Sequence, residues 1–194
     1  ARSRKARASP SLPDPMSTAK PEFGMIHGRF QPFHNGHLEY LRAAVERCEN
    51  LVIGITNADP TQISEEATSE HRHLPESNPF TFFQRSVMIR ELLIEEGIPL
   101  ERSLIIPFPV HSPDRWRYYL PPNVVHYLRV FSPWEQAKVD RLRQQGYTVE
   151  VLHPGVSKAV EATEVRRRMA SGEGWEELVP PSVVRVIHRI QQGR

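Results

Sequence analysis

The 194-residue sequence holds a single cysteine, Cys48, and no apolar run near the roughly 18 residues that a membrane-crossing helix needs. The first scarcity excludes an internal disulfide framework and points to a reducing compartment. The second, with nothing at the N-terminus resembling a signal peptide, leads to the expectation of a cytoplasmic protein without a membrane partner. Charge of one sign is scarce as well. Lys and Arg number 25 against 23 Asp and Glu, a formal net charge of +2, too small to argue for a nucleic-acid partner. Two glycine signatures are missing. Without Gly-x-x-x-x-Gly-Lys-Ser/Thr a P-loop kinase is disfavoured, and without Gly-x-Gly-x-x-Gly so is a dehydrogenase.

Proline is plentiful, at 18. It clusters in residues 1–22 and between the expected elements, where it caps and punctuates. Residues 1–22 carry Arg2, Arg4, Lys5 and Arg7, show no periodicity, and read as a flexible basic extension with Met16 as a candidate native start. Residues 23–194 read as one domain, long enough to bury a core.

Hydrophobic patterning gives the element order. Phe23–Gly28 reads as a short buried strand, and Leu38, Leu41, Val45 and Cys48 recur at helical spacing after it. Leu51–Thr56 is an apolar run without alternation, as expected for a strand covered on both faces. Further strands are expected at 103–108, 124–131 and 147–152, and helices at 82–96, 132–145, 163–170 and 182–192. Thr81 and Gln84 form a capping-box pattern, and Gly97 with Pro99 ends the helix it opens. Residues 57–80 make a long polar connection, the kind that is usually either functional or disordered. The alternation predicts a three-layer, Rossmann-like α/β fold with a five-stranded parallel sheet. Ligands of such sheets bind beyond the carboxyl ends of the strands.

Just past the first strand lies Gly28-Arg29-Phe30-Gln31-Pro32-Phe33-His34-Asn35-Gly36-His37. A helix start offers unpaired N–H groups and the positive end of the helix dipole, so it attracts phosphate. Either histidine alone would pass as structural or exposed. As His-x-Gly-His at a strand-to-helix turn, the pair can donate hydrogen bonds to a phosphate whose charge rises during reaction. Gly36 would let backbone approach a ligand closely. A zinc site, the competing reading, would need further ligands, and the one cysteine sits inside a helix. Thr163 reads as an N-cap, which puts Arg166 in the first turn of a second phosphate-facing helix. Arg166, Arg167 and Arg168 splay around that helix, so only one or two can face the site.

This pattern resembles the signature of the HxGH nucleotidyltransferase superfamily, and within it the archaeal-type nicotinamide mononucleotide (NMN) adenylyltransferases. Asn78-Pro79-Phe80-Thr81 with Arg85, Thr163-Glu164-Val165-Arg166-Arg167-Arg168-Met169 and Trp175-Glu176-Glu177-Leu178-Val179-Pro180 resemble that family's later motifs, in order, over most of the chain from Phe23 to Ile190. The resemblance implies transfer of an adenylyl group from ATP to NMN, giving NAD and pyrophosphate, with Mg²⁺ as cofactor. It implies catalytic roles for His34, His37 and Arg166, with Gly28, Arg29, Phe30, Gly36, Asn78, Trp116 and Thr163 binding substrate or nucleotide. Trp116 falls where relatives stack a tryptophan on the nicotinamide, and a core position is the alternative. Arg29 matches a phosphate contact, with a surface ion pair as its alternative. No protein-held metal ligand is assigned. Relatives often assemble, so a homo-oligomer is implied without an interface signal in the sequence.

Three departures bear on the substrate. Glu161-Ala162 stands where relatives carry a small pair, commonly Ser-Gly. Ser132 to Lys138 replaces an Asn-Pro stretch that helps hold the base or the nicotinamide end. The 57–77 segment, with His71, Arg72 and His73, is longer than in relatives and reads as a lid over the triphosphate. Two alternatives therefore stand beside ATP and NMN. One is the same fold using another pair, such as CTP with a phosphorylated or phosphonate acceptor. The other is a non-catalytic nucleotide-binding module, which intact His34, His37, Thr163 and Arg166 argue against.

Overall fold

A computed structural model describes residues 19–63, 73–152 and 160–193. The five expected strands are present as β1 (Phe23–Gly28), β2 (Asn50–Ile55), β3 (Ser103–Pro107), β4 (Val125–Arg129) and β5 (Thr148–Leu152). They pair in the order β3-β2-β1-β4-β5, and every pairing is parallel. The helices are α1 (Asn35–Val45), α2 (Phe82–Glu95), α3 (Pro133–Gln144), α4 (Ala162–Ser171) and α5 (Pro181–Gln191). Among the described residues no helix is long and apolar enough to cross a membrane.

Each face of the sheet has its own core. Ile26 and Ile53 pack under Leu41 of α1, Ile89 and Leu92 of α2 and Val183 and Ile187 of α5. On the other face Met25, Val52 and Leu128 meet Val139 and Leu142 of α3, together with Phe108 and Trp116. Side chains alternate across a strand, so β1 sends Ile26 to the first core and Met25 and His27 toward the second. Unbroken apolar strands are the sequence mark of this double cover.

The capping box of α2 forms as expected. Thr81 Oγ1 accepts from the Gln84 N–H at 3.1 Å and the Gln84 side chain accepts from the Thr81 N–H at 2.9 Å. At α4 the expectation needs correcting, because the cap is Glu161 and Thr163 lies inside the first turn. Ala162 is a strong helix former, so the helix starts two residues earlier than a cap at the threonine implies. Gly172, at φ 72°, ends it as expected. The 57–80 connection carries short 3₁₀ turns at Pro60–Gln62 and Pro75–Ser77, the first capped by Asp59, which accepts from Thr61 N–H at 2.9 Å. His71 and Arg72 of the expected lid lie outside the described residues.

From β1 the chain winds outward to β2 and β3 on one side, then returns to β4 and β5 on the other. The crevice between β1 and β4 is therefore the topological switch point, the place where an open parallel sheet binds its ligand.

Candidate functional site

A cavity of about 410 Å³ opens at that switch point, beyond the ends of β1 and β4. Its first wall is the β1–α1 turn. Phe30 holds a left-handed backbone, φ 51°, uncommon for so bulky a residue. Its ring packs against Phe33 at 5.1 Å and His37 at 4.9 Å between centroids, contacts that offset strain of about 1–3 kcal/mol. His34 and His37 stack at 3.7 Å, with 23° between ring planes. The His34 backbone N–H donates to His37 Nδ1 at 3.4 Å. An Nδ1 that accepts leaves the proton on Nε2, so Nε2 is the donor nitrogen of a neutral His37. Gly36 serves a purpose beyond ligand approach: a Cβ there would meet the His34 ring at 3.1 Å, so the glycine makes room for the imidazole itself.

Two tethers hold this turn. Gln31 is buried, donating to Phe80 O at 2.8 Å and accepting from Phe80 N–H at 2.9 Å. Arg85, 1% exposed, donates to the carbonyls of Arg29 (2.7 Å), Thr56 (2.8 Å), Asn57 (2.8 Å) and Thr81 (3.2 Å). Burial lowers its pKa to about 10, which leaves it charged at neutral pH. One buried cation thus ties the ends of β1 and β2 to the start of α2 while adding positive charge beneath the cavity.

Arg166 arrives from α4 and donates to Gln31 O at 2.7 Å and to Thr163 Oγ1 at 3.3 Å. Arg167 and Arg168 turn away, both bonded to Glu164 at 2.8 Å, with Glu173 on the first and Glu177 on the second. These two guanidiniums lower the Glu164 carboxyl to about 2. Arg29 reaches the cavity and donates to Ser77 O at 3.3 Å.

Of the residues expected in the site, Gly28, Arg29, Phe30, His34, Gly36, His37, Thr163 and Arg166 all line the cavity. Asn78 and Trp116 do not: for Asn78 the expectation is corrected, and for Trp116 the core alternative is the one seen. Asn78 donates to Leu74 O at 3.0 Å and accepts from the Asn57 amide at 3.4 Å, so it ties two parts of a loop while its neighbour Ser77 reaches the cavity. Trp116 is fully buried, 5.6 Å from Phe108 and 5.9 Å from Tyr147 between centroids, and its indole N–H donates to Pro109 O at 2.8 Å. It is a core residue.

Sequence reasoning marked the 132–138 segment of the second wall but missed Arg129 and Thr56. Arg129, at the end of β4, donates to Gly36 O at 3.0 Å and so joins the walls. Trp134, Glu135 and Lys138 line the cavity from α3. The Lys138 ammonium lies 4.8 Å from the Trp134 ring centre, and the Ser132 hydroxyl donates to the Glu135 carboxylate. Arg129 and Thr56 stand at carboxyl ends of strands, the one signal that could have marked them.

A model of the cytidylyltransferase-like family matches residues 25–96. The chain is 48% identical over 164 residues to phosphonoformate cytidylyltransferase of Streptomyces viridochromogenes, covering 84% of this chain and 89% of that one. This chain belongs to the HxGH nucleotidyltransferases. A second nucleotidyltransferase relative, nicotinamide-nucleotide adenylyltransferase of Thermococcus sibiricus, is 36% identical over 170 residues, 87% of this chain and 84% of that one. A bifunctional NMN adenylyltransferase/ADP ribose pyrophosphatase from Francisella tularensis, crystallised with AMP and a manganese ion, shares the nucleotidyltransferase fold. Its TM-score is 0.61 at 21% identity, over 82% of this chain and 44% of that one. The chain is accordingly an enzyme of nucleotidyl transfer.

Proposed function

We propose that the chain transfers a cytidylyl group from CTP to a small phosphonate acceptor, releasing pyrophosphate. The observation that carries this reading is the 48% identity to a phosphonoformate cytidylyltransferase, against 36% for the adenylyltransferase of Thermococcus sibiricus. The buried Trp116 supports it, since an indole enclosed by Phe108 and Tyr147 presents no face to a pyridinium ring.

An acceptor oxygen, already anionic at neutral pH, attacks the α-phosphorus of CTP. As that P–O bond forms, the bond from the α-phosphorus to the bridging oxygen breaks, and its electron pair leaves with pyrophosphate. No general base is required, so catalysis rests on positioning and charge stabilisation. His34 and His37 donate to the α-phosphate oxygens, helped by the N-terminal N–H groups of α1. Arg166 and Arg29 neutralise the departing pyrophosphate. Trp134 holds the base end.

Among the described residues no three His, Cys, Asp or Glu side chains converge as a metal cage. A protein-held metal does not fit them. A divalent ion belongs instead to the substrate, as the Mg²⁺ complex of the triphosphate, held mainly through phosphate oxygens.

Pyrophosphate release, measured across the four nucleoside triphosphates with phosphonoformate or NMN as acceptor, tests the reading. CTP with phosphonoformate is expected to be the fastest pair. A preference for ATP with NMN would overturn the assignment.

A further inference from the structure

His27 is the last side chain of β1 before Gly28; it lines the cavity and is 3% exposed. Behind it on β4 lies His126, 0% exposed, with 5.7 Å between ring centres and 80° between planes. Neither ring nitrogen of either residue has a hydrogen-bond partner among the described residues. Buried polar groups are nearly always satisfied, and four such nitrogens side by side call for a ligand or a bridging water. The surroundings are otherwise apolar and aromatic. Phe108 lies 5.0 Å from His27, Tyr147 5.3 Å from His126, and Leu128 completes the wall.

The charge acting on both imidazoles is the Lys138 ammonium, from α3. Burial first, then that ammonium, holds both rings neutral. Each neutral ring carries one N–H to donate; His27 lines the cavity together with Lys138, and His126 lies behind it. The best complement of this patch is an anionic oxygen acceptor. A carboxylate, with about four lone-pair sites and a negative charge, can take the His27 N–H and the ammonium together; a hydroxyl carries no charge to complement the cation.

We infer that His27, backed by His126 and Lys138, is the subsite for a second acidic group on the acceptor, a carboxylate next to the phosphonate that attacks the triphosphate. This rests on the proposed phosphonate acceptor and adds what selects among phosphonates. His27 lines the same cavity as His34 and His37, so one compact molecule with two neighbouring acidic groups can meet both. The subsite accounts for the polar atoms that the nucleotide-handling residues leave unused.

The test compares phosphonoformate with methylphosphonate, which lacks the carboxylate, by kcat/KM at saturating CTP. A hydrogen bond to a charged group is worth roughly 10- to 150-fold. Wild-type protein is expected to favour phosphonoformate by about 100-fold. In His27→Leu that ratio is expected to fall to within a few-fold of one, and in His27→Asn, which keeps a donor, to an intermediate value. His126→Leu is expected to lower it less than His27→Leu. A wild-type ratio near one, or one unchanged in both His27 variants, would overturn the inference alone and leave the imidazoles bridging a water. If wild-type protein turned over neither acceptor with CTP, the phosphonate reading would fall first and the subsite with it.

Discussion

The cavity has two walls built in different ways. The wall of the β1–α1 turn and α4 is braced from behind: Gln31 is clamped to Phe80, Arg85 bridges four carbonyls, and Arg166 is bonded to Gln31 O. The wall of β4 and α3 presents long side chains laid over aromatic faces, Arg129 over Phe131 and Lys138 over Trp134. A preorganised wall suits stabilisation of a transition state, where reorganisation would waste the interaction. A wall of aromatic and cationic side chains suits choice among ligands. On the proposed function, one wall performs the transfer and the other chooses what is transferred, and to what.

The largest effect should come from the braced wall. His37→Ala removes one donor to the α-phosphate and is expected to lower kcat by about 10²–10³ while circular dichroism stays native. A loss confined to KM would instead place His37 with the choosing side. Arg85→Met tests the brace itself. It leaves four carbonyls without their donor and is expected to destabilise the fold by about 3 kcal/mol in urea unfolding, with turnover falling as the turn slackens. Native stability in this variant would show that the turn holds itself.

Acid should weaken the floor between the walls. His126 has a pKa lowered to about 3 by burial and then by Lys138, and His27 shifts in the same direction. Below pH 6.5 the unfolded chain takes up protons that the folded chain refuses, so stability rises with pH in this window and falls on acidification. The slope contributed by His126 approaches about 1.4 kcal/mol per pH unit between pH 6 and pH 4. Urea unfolding at stepped pH checks it, and a slope unchanged in His126→Leu would show that other groups carry the acid sensitivity.

Smaller effects belong to the choosing wall. Trp134→Ala is expected to raise KM for CTP about tenfold with little change in kcat, in line with about 1–3 kcal/mol for a stacked base. Equal losses in kcat would erase the distinction between the walls. Smallest of all is Arg167→Ala. This guanidinium faces Glu164 and Glu173 in solvent, and both turnover and unfolding midpoint should match the wild-type protein.

Strands could be read within a residue or two because each is a short, mainly apolar run bounded by glycine, proline or polar residues. The sheet edge that holds the site followed from β1 leading straight into the His-x-Gly-His turn. Trp116 was open to two readings because a tryptophan that stacks on a ligand and one that packs in a core share the same local sequence. Only Phe108, Tyr147 and Pro109, brought in from other elements, decide between them. Asn78 was misplaced for the same reason, its partners being Leu74 and Asn57. Arg85 could be seen as part of a motif, but its four carbonyl partners lie on three separate segments.

Composition and periodicity, which act through local backbone preference and one-sided burial, are enough to specify five parallel strands, their order of helices and a phosphate-binding turn at Gly28–His37. Which arginine of three enters the cavity, which tryptophan is sealed away, and that His27 and His126 meet across β1 and β4 were decided by tertiary structure. Each depends on residues far apart in the chain meeting at one desolvated point, where the meeting of partners, and not the preference of any single residue, sets the energy.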